Sequence, residues 1–274
     1  MSALLALLSS VLWGSSDFVG GLRSRILPPA AVVGWSQVVG LLTMTVVVLA
    51  GNPLRGTGWI PYAIAAGLIG SGALAAFYAA LSTGTMGVVA PIAALGAAVP
   101  VLLGVVLGDV PSPLAWAGMA VAVFGTVLAS GPEIQAGVHV RSVLLACVAA
   151  VGFGLVLFLI DRGARYSLVA NLWGMRVTST LVYLVVALTR RSLGGVGRRD
   201  WPWLVGVGLG DLSANALFAA ASSAGLVSVT SVLASLYPVV TILLARGFLG
   251  ERLRPVQNAG VALSLLGVVA IAAG

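Results

Sequence analysis

The chain has 274 residues, 60% of them hydrophobic and only 8% charged, with a formal net charge of +7. Soluble domains carry about 25% charged residues, so with a mean hydropathy of +1.13 the composition is that of a membrane protein and excludes an ordinary soluble domain. All 14 basic residues are arginines, and 13 of them fall between apolar runs, which reads as topology signalling rather than a nucleic-acid surface; the absence of lysine excludes a Walker A loop and a lysine Schiff base.

A membrane crossing needs about 20 predominantly apolar residues. Reading such runs along the chain predicts ten spans: Ser2 to Gly21, Pro29 to Ala50, Trp59 to Leu81, Gly87 to Leu107, Pro113 to Ser130, Ser142 to Ile160, Ser167 to Thr189, Trp201 to Ser222, Val227 to Ala245 and Val256 to Ala273. Backbone polar groups in hydrocarbon must be satisfied within their own segment, so each run is expected to be helical. The first run lacks the basic flank of a secretory signal and is read as a mature span. The connectors are short, which leaves no room for a separate soluble domain. The lone Cys147 falls inside an apolar run and is expected to be a small buried hydrophobe, and His139, in a polar connector, is expected to be solvated.

The chain repeats itself at a shift of about 140 residues, with Gly14 matching Gly154, Trp35 matching Trp173, Trp59 matching Trp201, Phe77 matching Phe218 and Gly84 matching Gly225. The stretch "LGDVPSPLAWAG" (107–118) likewise matches "LGERLRPVQNAG" (249–260), and Gly125 matches Gly267. The division this implies is a first repeat over 1–131, a connector over 132–141 and a second repeat over 142–274. Each half holds five spans. An odd number makes the halves enter the membrane from opposite sides, so the expected fold is an all-α integral membrane protein of ten transmembrane helices in two inverted five-helix repeats. Secondary transporters use this architecture, with their sites near the midplane between repeats.

With "LWGSSDF" (12–18) opening the first half, "VPVLLGVVLGDVPSPLAWAGMAVAVFGTVL" (99–128) closing it and "SLYPVVTILLARGFLGERLRPVQNAGVALSLLGVV" (235–269) closing the second, the chain resembles the drug/metabolite transporter superfamily in its EamA-like branch. That resemblance covers essentially the whole length. It implies transport of a small organic solute through a central cavity without ATP, often outward, in the cell membrane. Two positions depart from the family's usual pattern: Asp109 stands where glutamate is usual, and Asp17 where a small or amide residue is common.

Ten arginines fall in the connectors after the first, fifth, seventh and ninth spans and three in those after the second and sixth. The positive-inside rule then places both termini outside. The resemblance implies termini inside.

Asp17, Arg176 and Asp211 are the ionisable residues placed well inside spans, where each costs about 2.5 to 3.5 kcal/mol at a helix centre. Arg176 and Asp211 fall near the middle of their spans, and so can meet. Helical spacing puts Gly208, Asp211, Asn215, Phe218 and Ser222 on one face, Trp173, Arg176, Thr180 and Tyr183 on another, and Ser10, Gly14, Asp17 and Gly21 on a third, with Trp13 beside it. The repeat aligns Asp17 with Leu157, Arg176 with Gln37 and Asp211 with Gly70, so one half builds the shared scaffold without each charge.

The expected solute site is therefore Trp13, Asp17, Trp35, Gln37, Tyr78, Trp173, Arg176, Asp211, Asn215 and Tyr237, the aromatics lining the cavity or packing beside it. Two carboxylates against one guanidinium leave one negative charge, which suits an amine or amino-acid-like solute, with protons as the candidate coupling ion. No catalytic residue, metal or cofactor is expected, because no GxSxG, HExxH or intramembrane histidine appears. The competing reading is a membrane scaffold in which Arg176 and Asp211 only lock two helices. Either a monomer or a homodimer fits. Pro91, Pro100 and Pro238 are expected to kink their spans, and Asp109 and Glu251 to cap the helix that follows each.

Overall fold

In the computed structural model, which describes residues 1–51, 54–83, 86–130, 140–192, 194–249 and 255–273, every regular element is helical. The helices are α1 (Ser2–Arg23), α2 (Pro29–Leu49), α3 (Ile60–Thr83), α4 (Met86–Ala94), α5 (Ala98–Val106), α6 (Pro113–Ser130), α7 (Val140–Arg190), α8 (Trp201–Ser223), α9 (Val227–Ala234), α10 (Tyr237–Leu249) and α11 (Pro255–Ala273). Among the described residues six helical stretches are long and apolar enough to cross a membrane, one of them the combined stretch Val227–Phe248. Residues 131–139 and 250–254, and with them His139 and Glu251, lie outside the described residues.

One sequence expectation is corrected at α7. The sequence predicts two spans here separated by a non-helical connector, but the connector is helical and the break is confined to Ser167 (φ −163°, ψ 114°). Asp161 pairs one turn on with Arg165 at 3.2 Å, which favours helix through "DRGARY", and the Ser167 hydroxyl accepts the Ala170 amide at 3.2 Å as the N-cap of the next limb. A straight 51-residue helix would run about 75 Å, more than twice the hydrocarbon thickness. The fold at Ser167 turns it into two limbs, 140–166 and 168–190.

Proline breaks the two helices expected to kink. Between α4 and α5 the chain forms a 3₁₀ turn, Leu95–Ala97, because Pro100 has no N–H for the Gly96 carbonyl. The run starting at Val227 ends at Ala234 and resumes at Tyr237, with Pro238 lacking the N–H that would bond Ala234. The two interruptions fall at corresponding places in the two halves.

Glycine contacts repeat between the halves as the residues do. A side chain at Gly14 would strike the Tyr237 carbonyl and Val240, while one at Gly154 would strike the Gly96 carbonyl and Val99. A Cβ at Gly67 would lie 2.8 Å from the Met175 carbonyl oxygen and 2.6 Å from Thr178 Cβ; at Gly208 it would lie 2.6 Å from the Ser36 carbonyl oxygen and 2.9 Å from Val39 Cβ. Small residues let membrane helices approach this closely. Replacing Gly154 by valine forces the α7 and α4/α5 backbones apart, at an overpacking cost of about 1–3 kcal/mol. The expected result is a lower melting midpoint in detergent for Gly154→Val and no loss for Gly72→Ala, whose added carbon meets nothing within 4 Å.

Side chains also mark the two ends of the bundle. Ser2 lies beside Gly225, and the Tyr166 ring stacks on Tyr62 next to Gly58, so the starts of α1 and α3, the fold of α7 and the end of α8 share a first end. At the second end Arg23 pairs with Asp200 at 3.7 Å and Thr83 hydrogen-bonds Ser142 at 3.0 Å. Asp109 caps a helix, but not the following one: its Oδ2 accepts the Ser228 amide of α9 in the other half at 3.0 Å, in space left by Gly104. Cys147, expected to be buried, is exposed on an apolar outer stripe with Leu144, Val148 and Val151, because that side of α7 has no protein neighbour.

Candidate functional site

The centre of the bundle holds a cavity of about 90 Å³ built from both halves. Seven of the ten expected site residues line it: Trp13, Asp17, Gln37, Arg176, Asp211, Asn215 and Tyr237. The three aligned pairs Asp17 and Leu157, Gln37 and Arg176, and Gly70 and Asp211 all face it. The cavity thus sits where the halves meet, and Gln37 accepts a hydrogen bond from its own counterpart Arg176.

Arg176 is only 2% exposed. Its Nη2 lies 2.8 Å from Asp211 Oδ2, its Nη1 donates to Gln37, and Gly40 makes room for its Cδ and Nε. Asp211 Oδ1 accepts from Trp13 Nε1 at 3.2 Å and from Asn215 Nδ2 at 3.1 Å. Asn215 is one turn beyond Asp211 on the same helix face, which places its amide over the carboxylate. This carboxylate therefore has partners on α1, α7 and α8, while Arg176 reaches α2 as well.

Asp17 has a different environment. It is 7% exposed, hydrogen-bonded by the Tyr78 side chain, and near enough to Asp211 for the two charges to repel. No arginine pairs with it among the described residues. Rings surround this part of the cavity: Tyr237 and Phe153 line it, and Phe77 packs edge-on against both with centroids 6.3 and 5.4 Å away. A carboxylate beside aromatic faces is suited to a desolvated organic cation. Among the described residues no three His, Cys, Asp or Glu side chains converge as a metal site.

Trp35, Tyr78 and Trp173 are placed elsewhere. Tyr78, 1% exposed, lies behind the wall with its hydroxyl against Asp17 and its ring in the space Gly20 leaves. Trp35 packs edge-on against Trp201 at 4.9 Å, and Trp173 donates to Thr45 Oγ1 at 3.2 Å while packing against Trp59. The aligned tryptophans thus each meet the start of a helix in the opposite half, which is a packing role.

Sequence reasoning missed part of the wall. Ala93, Ala94, Gly96 and Ala97 from the first broken helix, and Ala234 and Ser235 from the second, line the cavity. The prolines signalled the breaks, but small residues carry no chemistry that would single them out. Asp161 was also missed. It sits one residue past the expected span end and is fully buried, with Arg165 and Arg162 at 3.2 and 3.5 Å, away from the cavity.

The sequence pattern of the EamA-like transporter family matches residues 1–131 and again residues 140–273. The chain belongs to the EamA-like transporter family. It is thereby a member of the drug/metabolite transporter superfamily, a multi-pass membrane protein of a family of transporters, with the family's repeat present twice. No curated protein matches it. A solved structure titled only "Crystal structure of protein" has the same fold, with a TM-score of 0.77 at 21% identity over 98% of this chain and 95% of that one.

Proposed function

We propose that the protein is a secondary carrier of small organic solutes bearing an amine, working by alternating access around the central cavity in the cell membrane. Ten crossings account for the chain: the six long stretches, a second crossing from the folded α7, and those over 86–106, Pro113–Ser130 and Pro255–Ala273. The end markers support inversion of the halves. Helix α1 starts at the first end, whereas the limb of α7 that matches it starts at the second, beside Thr83.

The observation that carries the reading is the cavity itself: two carboxylates and one guanidinium on the line between the repeats, walled by broken helices from both. Interrupted helices at mid-depth are how carriers build solute sites. The charge of Arg176 is paired with Asp211 and its Nη1 donates to Gln37, so Asp17 is the charge left for an ammonium group, and a carboxylate on an amino-acid-like solute would compete for Arg176. Outward transport follows from family likeness. The arginine-rich second end faces the cytoplasm by the positive-inside rule, which puts both termini outside, against the family expectation.

Counterflow in vesicles of purified protein tests the reading. Vesicles preloaded with a primary amine or an amino acid should take up the labelled solute, and a proton gradient should change the rate. Exchange of neutral or anionic solutes alone would overturn the assignment of solute class. A protein that exchanges nothing but still binds a partner membrane protein would favour the scaffold reading.

A further inference from the structure

We propose that the cleft between α2 and the second limb of α7 holds one anionic phospholipid, its phosphate at Arg190 and one acyl chain lying along Trp35, Val38 and Leu184. The cleft has a volume of about 390 Å³, larger than the central cavity, and is separate from it. Its origin is the crossing of the two helices. They touch where Gly34 meets Tyr183 and are tied at mid-depth by the Gln37 to Arg176 hydrogen bond. The connector covers part of the opening, with Gly194 packed on Ala31.

Depth, wall and mouth all fit a lipid. From Thr180 to Arg190 the lining helix advances about 15 Å, half of the ~30 Å hydrocarbon core and so the depth of one leaflet. Apart from Thr180 at its inner end and the Tyr183 ring, the wall between is made of alanine, valine, leucine, proline and tryptophan side chains, which favour a hydrocarbon chain over a hydrated solute. At the mouth Arg190 is exposed and forms no ion pair among the described residues. The hydroxyl of Ser192 accepts the Gly194 amide at 3.1 Å, which leaves its hydrogen to donate. A guanidinium and a hydroxyl donor together suit a phosphate. This is also the basic end of the bundle, with Arg23 at the end of α1, Arg25, Arg191, Arg198 and Arg199 in the two neighbouring connectors, and Asp200 already engaged by Arg23. Basic pockets between membrane helices are where anionic headgroups bind.

The test uses the full purified chain in detergent, with melting followed after adding phosphatidylglycerol, phosphatidylcholine of the same chains, or inorganic phosphate. Phosphatidylglycerol should raise the midpoint by about 5 °C more than phosphatidylcholine, and phosphate alone should leave it unchanged. Arg190→Gln should erase the preference while keeping the shift common to both lipids. Ala187→Phe, which fills the cleft from its α7 wall, should reduce that common shift and remove the single tightly held lipid seen by native mass spectrometry. Equal shifts with both lipids in the unaltered protein, a preference that survives Arg190→Gln, or phosphate reproducing the effect would each overturn the proposal. Solute counterflow is measured separately, so loss of the lipid effect leaves the transport reading standing.

Discussion

Asp211→Ala should lower stability by about 3 kcal/mol and abolish solute exchange. The reason is the guanidinium it leaves behind: Arg176 is buried, and removing its carboxylate strands a charge that burial had made tolerable only as a pair. Trp13 and Asn215 would lose their shared acceptor as well. The double variant Arg176→Met with Asp211→Leu removes both charges and keeps the volume, so its fold should recover much of the lost stability. Its transport should not recover. Melting in detergent and counterflow measured on the same preparations separate the two effects. A double variant that still exchanges solute would make the pair a helix lock and nothing more.

The architecture was more legible in the sequence than the site. Hydrophobic runs mark the helices because the bilayer demands self-satisfied backbones, and the repeat shift later found its counterpart in matching glycine contacts at Gly14 and Gly154, and at Gly67 and Gly208. The charges were legible for the same reason: an aspartate or arginine inside an apolar run has to find a partner, and Arg176 and Asp211 found each other. Helical spacing also put Asn215 on the face of Asp211, the one that lines the cavity. What spacing cannot tell is whether an aromatic side chain faces a cavity or a neighbouring helix, so Trp35 and Trp173 were indistinguishable from Trp13 until the packing was known. The span end near Asp161 was misplaced because charged "DRGARY" reads as a connector, yet the Asp161 to Arg165 pair satisfies it within a helix.

Asp17 is expected to dominate function while contributing little to the fold. Its carboxylate has Tyr78 as a neutral partner, and Asn at this position keeps an oxygen for that hydroxyl. Removing a charge near Asp211 also relieves repulsion, so Asp17→Asn should fold at least as well as the unaltered protein. Exchange of a cationic amine should fall by about tenfold or more, the equivalent of about 1.4 kcal/mol of lost electrostatic binding, and its response to a proton gradient should disappear. A neutral solute of the same shape should lose much less.

Counterflow of one labelled primary amine through vesicles, with the unaltered chain and Asp17→Asn compared at equal reconstitution and with or without a proton gradient, tests this most directly. The account predicts saturable, gradient-sensitive exchange in the first and its near absence in the second. Exchange that is unchanged in rate and in gradient response by Asp17→Asn would contradict it.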